Sequence, residues 1–197
     1  MSGATGDRLF DPARARRLDD PDRPSWLPPA EVLSRLEPAP GEVVADVGSG
    51  TGYFALPLAE RVEAGEGRVI ALELQPEMME RLVEKIARGG APPVVEPVRA
   101  RAEALPLVDG SVDLVLLAGL WHELEEPVAV AREARRVVRS GGRIGVLDWR
   151  PDVERPPGPP IEHRLSTETV RSHLEEGGWE VAAEHRIGPY NVLLVAR

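Results

Sequence analysis

The sequence predicts an α/β fold in which a mostly parallel sheet carries helices on both faces and closes with an antiparallel strand pair. Three observations lead there. From Val43 onward, short apolar runs of strand length alternate with stretches of helical spacing, as in a parallel sheet joined by crossover helices. The run VVADVGSGTGYF, Val43 to Phe54, is an apolar strand that ends in an acid and passes straight into a glycine loop and a helix start. The chain closes on two strand-like segments, 179–187 and 190–196, separated only by Gly188-Pro189, and strands joined by so tight a turn must run antiparallel. With 197 residues, 42% of them hydrophobic, the chain is long enough to bury one such core, and no repeat or second domain is expected.

Taken in order, residues 1–27 mix charges with prolines and show neither a helical nor a strand period, so they read as a leader or lid on a domain spanning 28–197. Pro28 and Pro29 open a short helix through Leu36, because a first-turn proline gives up an N–H that has no helical partner. After the first strand, Gly48, Gly50 and Gly52 let the backbone turn sharply and lie against a ligand, and a helix runs from Gly52 to Val62. Pro57, inside it, predicts a bend. A second strand covers 68–72, with Glu73 directly after it. Met78, Met79, Leu82, Val83 and Ile86 share a helical face between Pro76 and Gly89-Gly90, which places both methionines in the core.

The third strand, 94–99, contains Pro97 and suits a sheet edge, whereas 112–118 is almost wholly apolar and suits the centre. Val130, Ala134, Val137 and Val138 line a helix that stops at Gly141-Gly142, before a fifth strand over 143–148. A proline-rich insertion, 151–160, follows. Leu165 and Val170 then form a hydrophobic staple around a Ser166 N-cap, opening a helix that ends at Gly177-Gly178.

The glycine loop holds something, and Glu73 narrows what. An acid on the second strand end, ~20 residues beyond such a loop, stands where a carboxylate meets vicinal ribose hydroxyls. Two ligands satisfy this pattern. Residues 50–55 fit the GxGxxA form that sets a dinucleotide pyrophosphate on a helix N-terminus, but Asp46 beside the loop repels a pyrophosphate and suits a cationic ligand. Composition excludes other chemistries. No cysteine means no disulfide, thiolate metal site or cysteine nucleophile, and a net charge of −9 without a basic stripe opposes nucleic acid. No apolar run approaches the ~18 residues of a membrane span, and the first twenty residues lack a signal-peptide core, so a cytoplasmic location is expected.

VVADVGSGTGYF resembles motif I of the class I S-adenosylmethionine-dependent methyltransferases. RAEALPLVDGSVDLVLLAGLWHELEEP, Arg101 to Pro127, resembles the family's adenine-contacting loop, fourth strand and the loop facing the methyl group, and REARRVVRSGGRIGVLDWR, Arg132 to Arg150, its helix, Gly-Gly turn and fifth strand. The likeness covers most of the chain and is nearest the methyltransferase type 11 group, which includes the ubiquinone and menaquinone C-methyltransferases. It implies a Rossmann-like, doubly wound, seven-stranded sheet whose antiparallel last strand inserts beside the fifth. It also implies S-adenosylmethionine as cofactor, S-adenosylhomocysteine as product, no metal and a small-molecule methyl acceptor; monomer and homodimer both remain open.

The same resemblance assigns roles. Glu73 accepts from the ribose hydroxyls, with Leu74 beside it. Asp46 steadies the loop of Gly48, Ser49, Gly50 and Gly52 and attracts the methionine ammonium. Ala102 and Glu103 align with the adenine loop, where the family commonly has an Asp at the position taken here by Arg101; arginine has donors only, so Glu103 is left to accept from the adenine amine. Leu120, Trp121 and His122 follow the fourth strand on the side facing the acceptor, where Trp121 either packs on the cofactor or caps the core. His122 lacks the second histidine of HExxH, which leaves a general base, a polar anchor or a plain loop histidine. Tyr53, Trp149, His163 and Arg164 are further pocket candidates, and Arg14, Arg16 and Arg17 are candidates to close over a carboxylate. A cofactor-binding protein without catalysis and a nucleotide-dependent oxidoreductase are the alternative functions.

Overall fold

The structure, a computed structural model, describes residues 10–89, 92–154 and 157–197. Among these, seven strands form one sheet: β1 (Val43–Val47), β2 (Arg68–Glu73), β3 (Val95–Arg99), β4 (Val112–Ala118), β5 (Val138–Trp149), β6 (Val181–Ile187) and β7 (Asn191–Ala196). Their spatial order is β3-β2-β1-β4-β5-β7-β6. The first five pair in parallel, and β7 runs antiparallel between β5 and β6. This is the Rossmann-like sheet expected, with the last strand beside the fifth, Pro97 on an edge and β4 at the centre. Chain order reverses between β1 and β4. Connections therefore leave in opposite directions there, and a crevice opens at the carboxyl ends of the strands.

Among the described residues there are six α-helices: α1 (Arg23–Trp26), α2 (Pro29–Leu36), α3 (Ala55–Val62), α4 (Pro76–Ala87), α5 (Pro127–Val137) and α6 (Thr167–Glu176). Alternate residues of β1 go to opposite faces. Ala45 and Val47 join Val130, Ala134 and Leu174 of α5 and α6, while Val44 packs with Leu33, Leu58 and Leu82 of α2, α3 and α4. Each fully buried leucine or valine stabilises the fold by about 1.5–3 kcal/mol, so both layers are held by the same apolar sheet. The Ser166 hydroxyl caps α6 by accepting from the Thr169 N–H at 3.0 Å, as the staple predicts.

Several boundaries differ from expectation, each for a local reason. Turns occupy Thr51–Phe54, so α3 begins at Ala55, and Pro57 falls in its first turn, where its missing N–H removes no helical bond and gives no cause for a bend. Helix α5 ends at Val137 because Val138 is already extended and pairs with Val112; the ladder then slips before Leu114↔Arg143, with Gly141 at φ +79 in the bulge. Trp179 lies outside β6: its indole N–H donates to Ala131 O at 2.8 Å, tying the chain to α5. The leader has local structure after all. Asp11 caps a 3-10 turn over Pro12–Arg17, and α1 follows. Gly90 of the expected Gly89-Gly90 stop, part of the proline-rich insertion and residues 1–9 lie outside the described residues.

Candidate functional site

The crevice at the ends of β1, β2, β4 and β5 has a volume of about 810 Å³ and is roofed by residues 10–27. That volume suits a drug-sized or nucleoside-sized ligand. Its β1–β2 side is built from backbone. Gly48 and Ser49 donate their N–H groups to Leu72 O at 2.8 and 3.0 Å, which folds the glycine loop back over the end of β2. Gly48, at φ +72, also admits the Leu120 side chain, which a Cβ there would approach to 2.8 Å. The Glu73 carboxylate is pinned at both oxygens: Gly50 N–H donates to Oε2 and Gln75 N–H to Oε1, each at 2.8 Å. It thus faces the crevice in one orientation.

Asp46 is 1% exposed, and its Oδ2 has no hydrogen-bond partner. Burial and the Glu73 charge push its carboxyl up to about 7, against a hydrogen bond from the Ala55 N–H. A buried acid with an open oxygen beside a second acid is a site for a cation. On the next loop, Ala102 and Glu103 line the crevice, as does Leu74, and Glu103 is paired with Arg101 at 3.5 Å.

The β4–β5 side is built from side chains. His122 donates its backbone N–H to Asp148 Oδ2 at 2.9 Å, and its Nδ1 meets Asp148 Oδ1 at 2.8 Å. Asp148 also accepts from the Trp149 N–H at 2.7 Å. The Nδ1 contact assigns the ring proton to that nitrogen in the neutral form and leaves Nε2 as the basic atom, 3.8 Å from Glu123 Oε1. Burial opposes the imidazolium, but Asp148 and Glu123 outweigh it and hold His122 above its ordinary value. Glu123 is pushed up to about 7, chiefly by burial, although His122 and a hydrogen bond from the Phe10 N–H at 3.1 Å act the other way.

Over both sides lies the leader. Lys85, the only lysine, reaches Asp19 Oδ1 at 2.5 Å and Thr51 O at 2.8 Å, and the Thr51 hydroxyl donates to the same Asp19 oxygen at 2.6 Å. Tyr53 donates its hydroxyl to Leu27 O at 2.5 Å, and Gln75 donates its side-chain N–H to Phe10 O at 2.9 Å. Residues far apart in sequence thereby close one roof.

Of the site residues expected from sequence, the crevice gathers Asp46, Gly48, Ser49, Gly50, Tyr53, Glu73, Leu74, Ala102, Glu103, Leu120, His122, Trp149 and His163. Two do not line it. Trp121 is fully buried on the α5–α6 side, its indole N–H directed at His173 Nδ1 at 3.4 Å; a large apolar ring in the first turn after β4 gains more from the core than from the crevice. Gly52, at φ +87, faces α4, where a Cβ would meet Leu82 Cδ1 at 2.5 Å, so its task is packing. Met78, expected in the core, is buried but borders the crevice. Arg164 does not line the crevice; it clamps the proline-rich segment by donating to Pro159 O at 2.8 Å and Val153 O at 2.6 Å. Arg17 borders the crevice, Arg16 is exposed, and the Arg14 side chain is outside the described ones.

Sequence reasoning missed Asp148, Glu123, Arg23 and Asn191, all of which line the crevice or, for Asp148, orient a residue that does. Only Asp148 carried a signal, as an acid ending the apolar run IGVLD in the way Asp46 ends VVAD. Among the described residues no helix is long and apolar enough to cross a membrane, and no cluster of three or more metal-ligating side chains is found.

Residues 45–146, more than half of the chain, match the methyltransferase domain family. The chain is 38% identical over 133 residues to an uncharacterised methyltransferase of Mycobacterium tuberculosis, covering 68% of this chain and 49% of that one. It is 33% identical over 129 residues to a ubiquinone/menaquinone biosynthesis C-methyltransferase of a Caulobacter strain, covering 62% and 50%. The chain thus spans about half the length of these curated relatives. A crystal structure of a SAM-dependent methyltransferase from Aquifex aeolicus superposes with a TM-score of 0.89 at 33% identity, covering 95% of this chain and 98% of that one. By its sheet order, its glycine loop between two acid-tipped strands and these likenesses, the chain belongs to the class I S-adenosylmethionine-dependent methyltransferases.

Proposed function

We propose that the crevice binds S-adenosylmethionine and transfers its methyl group to a small-molecule acceptor under a lid formed by the leader, residues 1–27, with residues 28–197 as the cofactor-binding domain. One observation carries this. Six buried side-chain atoms lack a hydrogen-bond partner among the described residues, and five belong to crevice residues: Arg23 Nε, Asp46 Oδ2, Ser49 Oγ, Gln75 Oε1 and Asn191 Oδ1. The sixth, Asp113 Oδ1, is in ion contact with Arg139. Buried polar atoms are ordinarily satisfied, so five open ones around one cavity call for a polar ligand.

The chemistry of these groups fits the cofactor. Glu73, fixed by two backbone N–H groups, keeps lone pairs for two ribose hydroxyls. Asp46 Oδ2 suits the methionine ammonium and would repel a pyrophosphate, which favours S-adenosylmethionine over a dinucleotide. Gly48, Ser49 and Gly50 lie under the sugar and methionine part, while Leu74, Ala102, Glu103 and Leu120 border the adenine and methyl regions. Glu103 is engaged by Arg101, so it must release that partner to accept from the adenine amine.

When bound, the cofactor supplies a methyl carbon on a sulfonium, which the acceptor takes as the C–S electron pair returns to sulfur in S-adenosylhomocysteine. The protein's part is alignment and exclusion of water, with Tyr53, Trp149 and His163 around the acceptor and the leader above it. Where the attacking atom carries a proton, His122 Nε2 receives it and Asp148 steadies the imidazolium so formed. Titration calorimetry with S-adenosylhomocysteine and with NAD tests the binding. Heat from the first alone is expected; heat from NAD alone overturns the assignment. Transfer of label from methyl-labelled cofactor to phenols, amines, thiols and quinol precursors tests catalysis.

A further inference from the structure

Arg23 is a cation of the roof, and among the described residues it forms no ion pair with an acid. Its Nη1 donates to Leu18 O at 2.8 Å, its guanidinium carbon sits over the Tyr53 ring, 3.9 Å from the centroid, and its Nε is buried without a partner among the described residues. The nearest acid that acts on it, Asp19, is spent on Lys85 and Thr51. Burial therefore lowers its pKa to about 10, with only weak opposition from Tyr53 and Asp19. A guanidinium over an aromatic ring at the crevice wall, with a buried Nε that no described residue engages, is the group that binds a carboxylate in two parallel hydrogen bonds.

Its neighbours define the rest of the ligand. Arg23 and Trp26 are three residues apart on α1, and so share a face; both line the crevice. Trp26 packs on Trp149 with ring centroids 5.6 Å apart, and Trp149 follows Asp148, which holds His122. Arg23, Trp26, Trp149 and His122 thus all border the one crevice. Asn191, whose Oδ1 is buried and open, borders the same crevice next to Asp148, to whose carbonyl it donates at 3.5 Å. We propose that the methyl acceptor is a flat, aromatic carboxylic acid, its carboxylate held by Arg23, its ring against Trp26 and Trp149, and its nucleophilic group at His122.

This rests on the cofactor assignment above, and the test separates the two. With S-adenosylhomocysteine present, quenching of tryptophan fluorescence is titrated with benzoate, 4-hydroxybenzoate, cinnamate and indole-3-acetate, each beside its neutral amide, and with phenyl phosphate. At least one acid is expected to bind about tenfold or more tighter than its amide, and Arg23→Gln to erase that preference while S-adenosylhomocysteine affinity changes by less than about threefold. Arg23→Lys, which keeps the charge but loses the fork, should recover only part of it. No acid preferred over its amide by the unaltered protein overturns the proposal, even if the variants fail to fold, and phenyl phosphate preferred over every acid replaces carboxylate by phosphate and overturns it too. Loss of S-adenosylhomocysteine binding in Arg23→Gln, with 5′-methylthioadenosine binding intact, also overturns it, by giving the guanidinium to the cofactor's own carboxylate. Failure of the unaltered protein to bind S-adenosylhomocysteine instead sinks the cofactor assignment.

Discussion

Asp46 and Glu73 on one side of the crevice, and Asp148 and Glu123 on the other, are acids crowded around one cavity, yet they are held in different ways. On the β1–β2 side the partners are backbone N–H groups of the adjoining loops: Gly50 and Gln75 for Glu73, Ala55 for Asp46. On the β4–β5 side the acids hold another titratable group, His122, and a backbone N–H from the roof. Backbone donors cannot titrate or leave. The first side therefore keeps one shape for an invariant ligand even as Asp46 titrates, whereas on the second the group that is held, His122, itself takes up and gives a proton, which is what chemistry on an acceptor needs.

The largest effect is expected where the second side loses its anchor. Asp148→Ala strands the His122 and Trp149 N–H groups and the His122 ring in a buried setting, and should destabilise the fold by about 3 kcal/mol, seen as a lower urea midpoint. Asp148→Asn retains one acceptor oxygen of the two and should cost less. It removes the charge that raises His122, so the alkaline-going rise of kcat/KM should move to lower pH. An unmoved profile in that variant would mean that His122 is no base.

On the first side, Glu73→Ala should weaken S-adenosylhomocysteine binding by about 1–3 kcal/mol in calorimetry, through loss of charge-assisted hydrogen bonds. Unchanged affinity would remove the ribose assignment. Gly52→Ala separates packing from binding within the same loop. Its φ of +87 and the approach to Leu82 should cost about 1–3 kcal/mol of stability, with affinity for S-adenosylhomocysteine nearly unchanged once the protein is folded.

Both sides contribute to pH dependence with the same sign. Asp46 and Glu123 rise from 3.8 and 4.5 to about 7, and His122 rises above 6.5, so the folded state binds more protons than the unfolded one across this range. Their contribution is intact at the acid end and is lost as pH climbs through the raised values. Glu42 and Glu133, held low against burial by their arginine partners, act oppositely, but only below their ordinary 4.5. His173, held below 6.5 by burial, offsets part of this, and the melting temperature should fall between about pH 4.5 and 7. Asp46→Asn should flatten that slope, and S-adenosylhomocysteine, which brings an ammonium to Asp46, should flatten it as well.

The same contrast explains what could be read from the chain. Glu73, the glycine loop and Asp46 lie within one strand-loop-helix-strand unit, so adjacency in sequence carries their geometry, and the tight turn alone made the final pair antiparallel, whereas the place of the last strand beside the fifth came from the family resemblance. His122 and Asp148 are 26 residues apart and meet only because β4 and β5 pair in register. Arg23 gives no sign at all: its placement depends on α1 packing against Trp149 and Tyr53, and a leader rich in arginine and aspartate offers many equivalent pairings. Trp121 misled for the converse reason, since a tryptophan next to a pocket histidine serves a core as readily as a ligand.

The smallest effect concerns the roof that joins the two sides. Lys85 and Asp19 are each about a third exposed at the side chain, so their ion pair contributes no more than ~1 kcal/mol to stability, and Lys85→Met should barely move the melting temperature. Yet Lys85 is where α4, Thr51 of the glycine loop and the leader meet. If residues 10–27 close the crevice as a lid, loosening this latch should raise the dissociation rate of S-adenosylhomocysteine several-fold in stopped-flow displacement, far more than its effect on stability. Equal and slight changes in both would instead make the leader a fixed wall. The second side would then be shaped before any ligand arrives, as the first is.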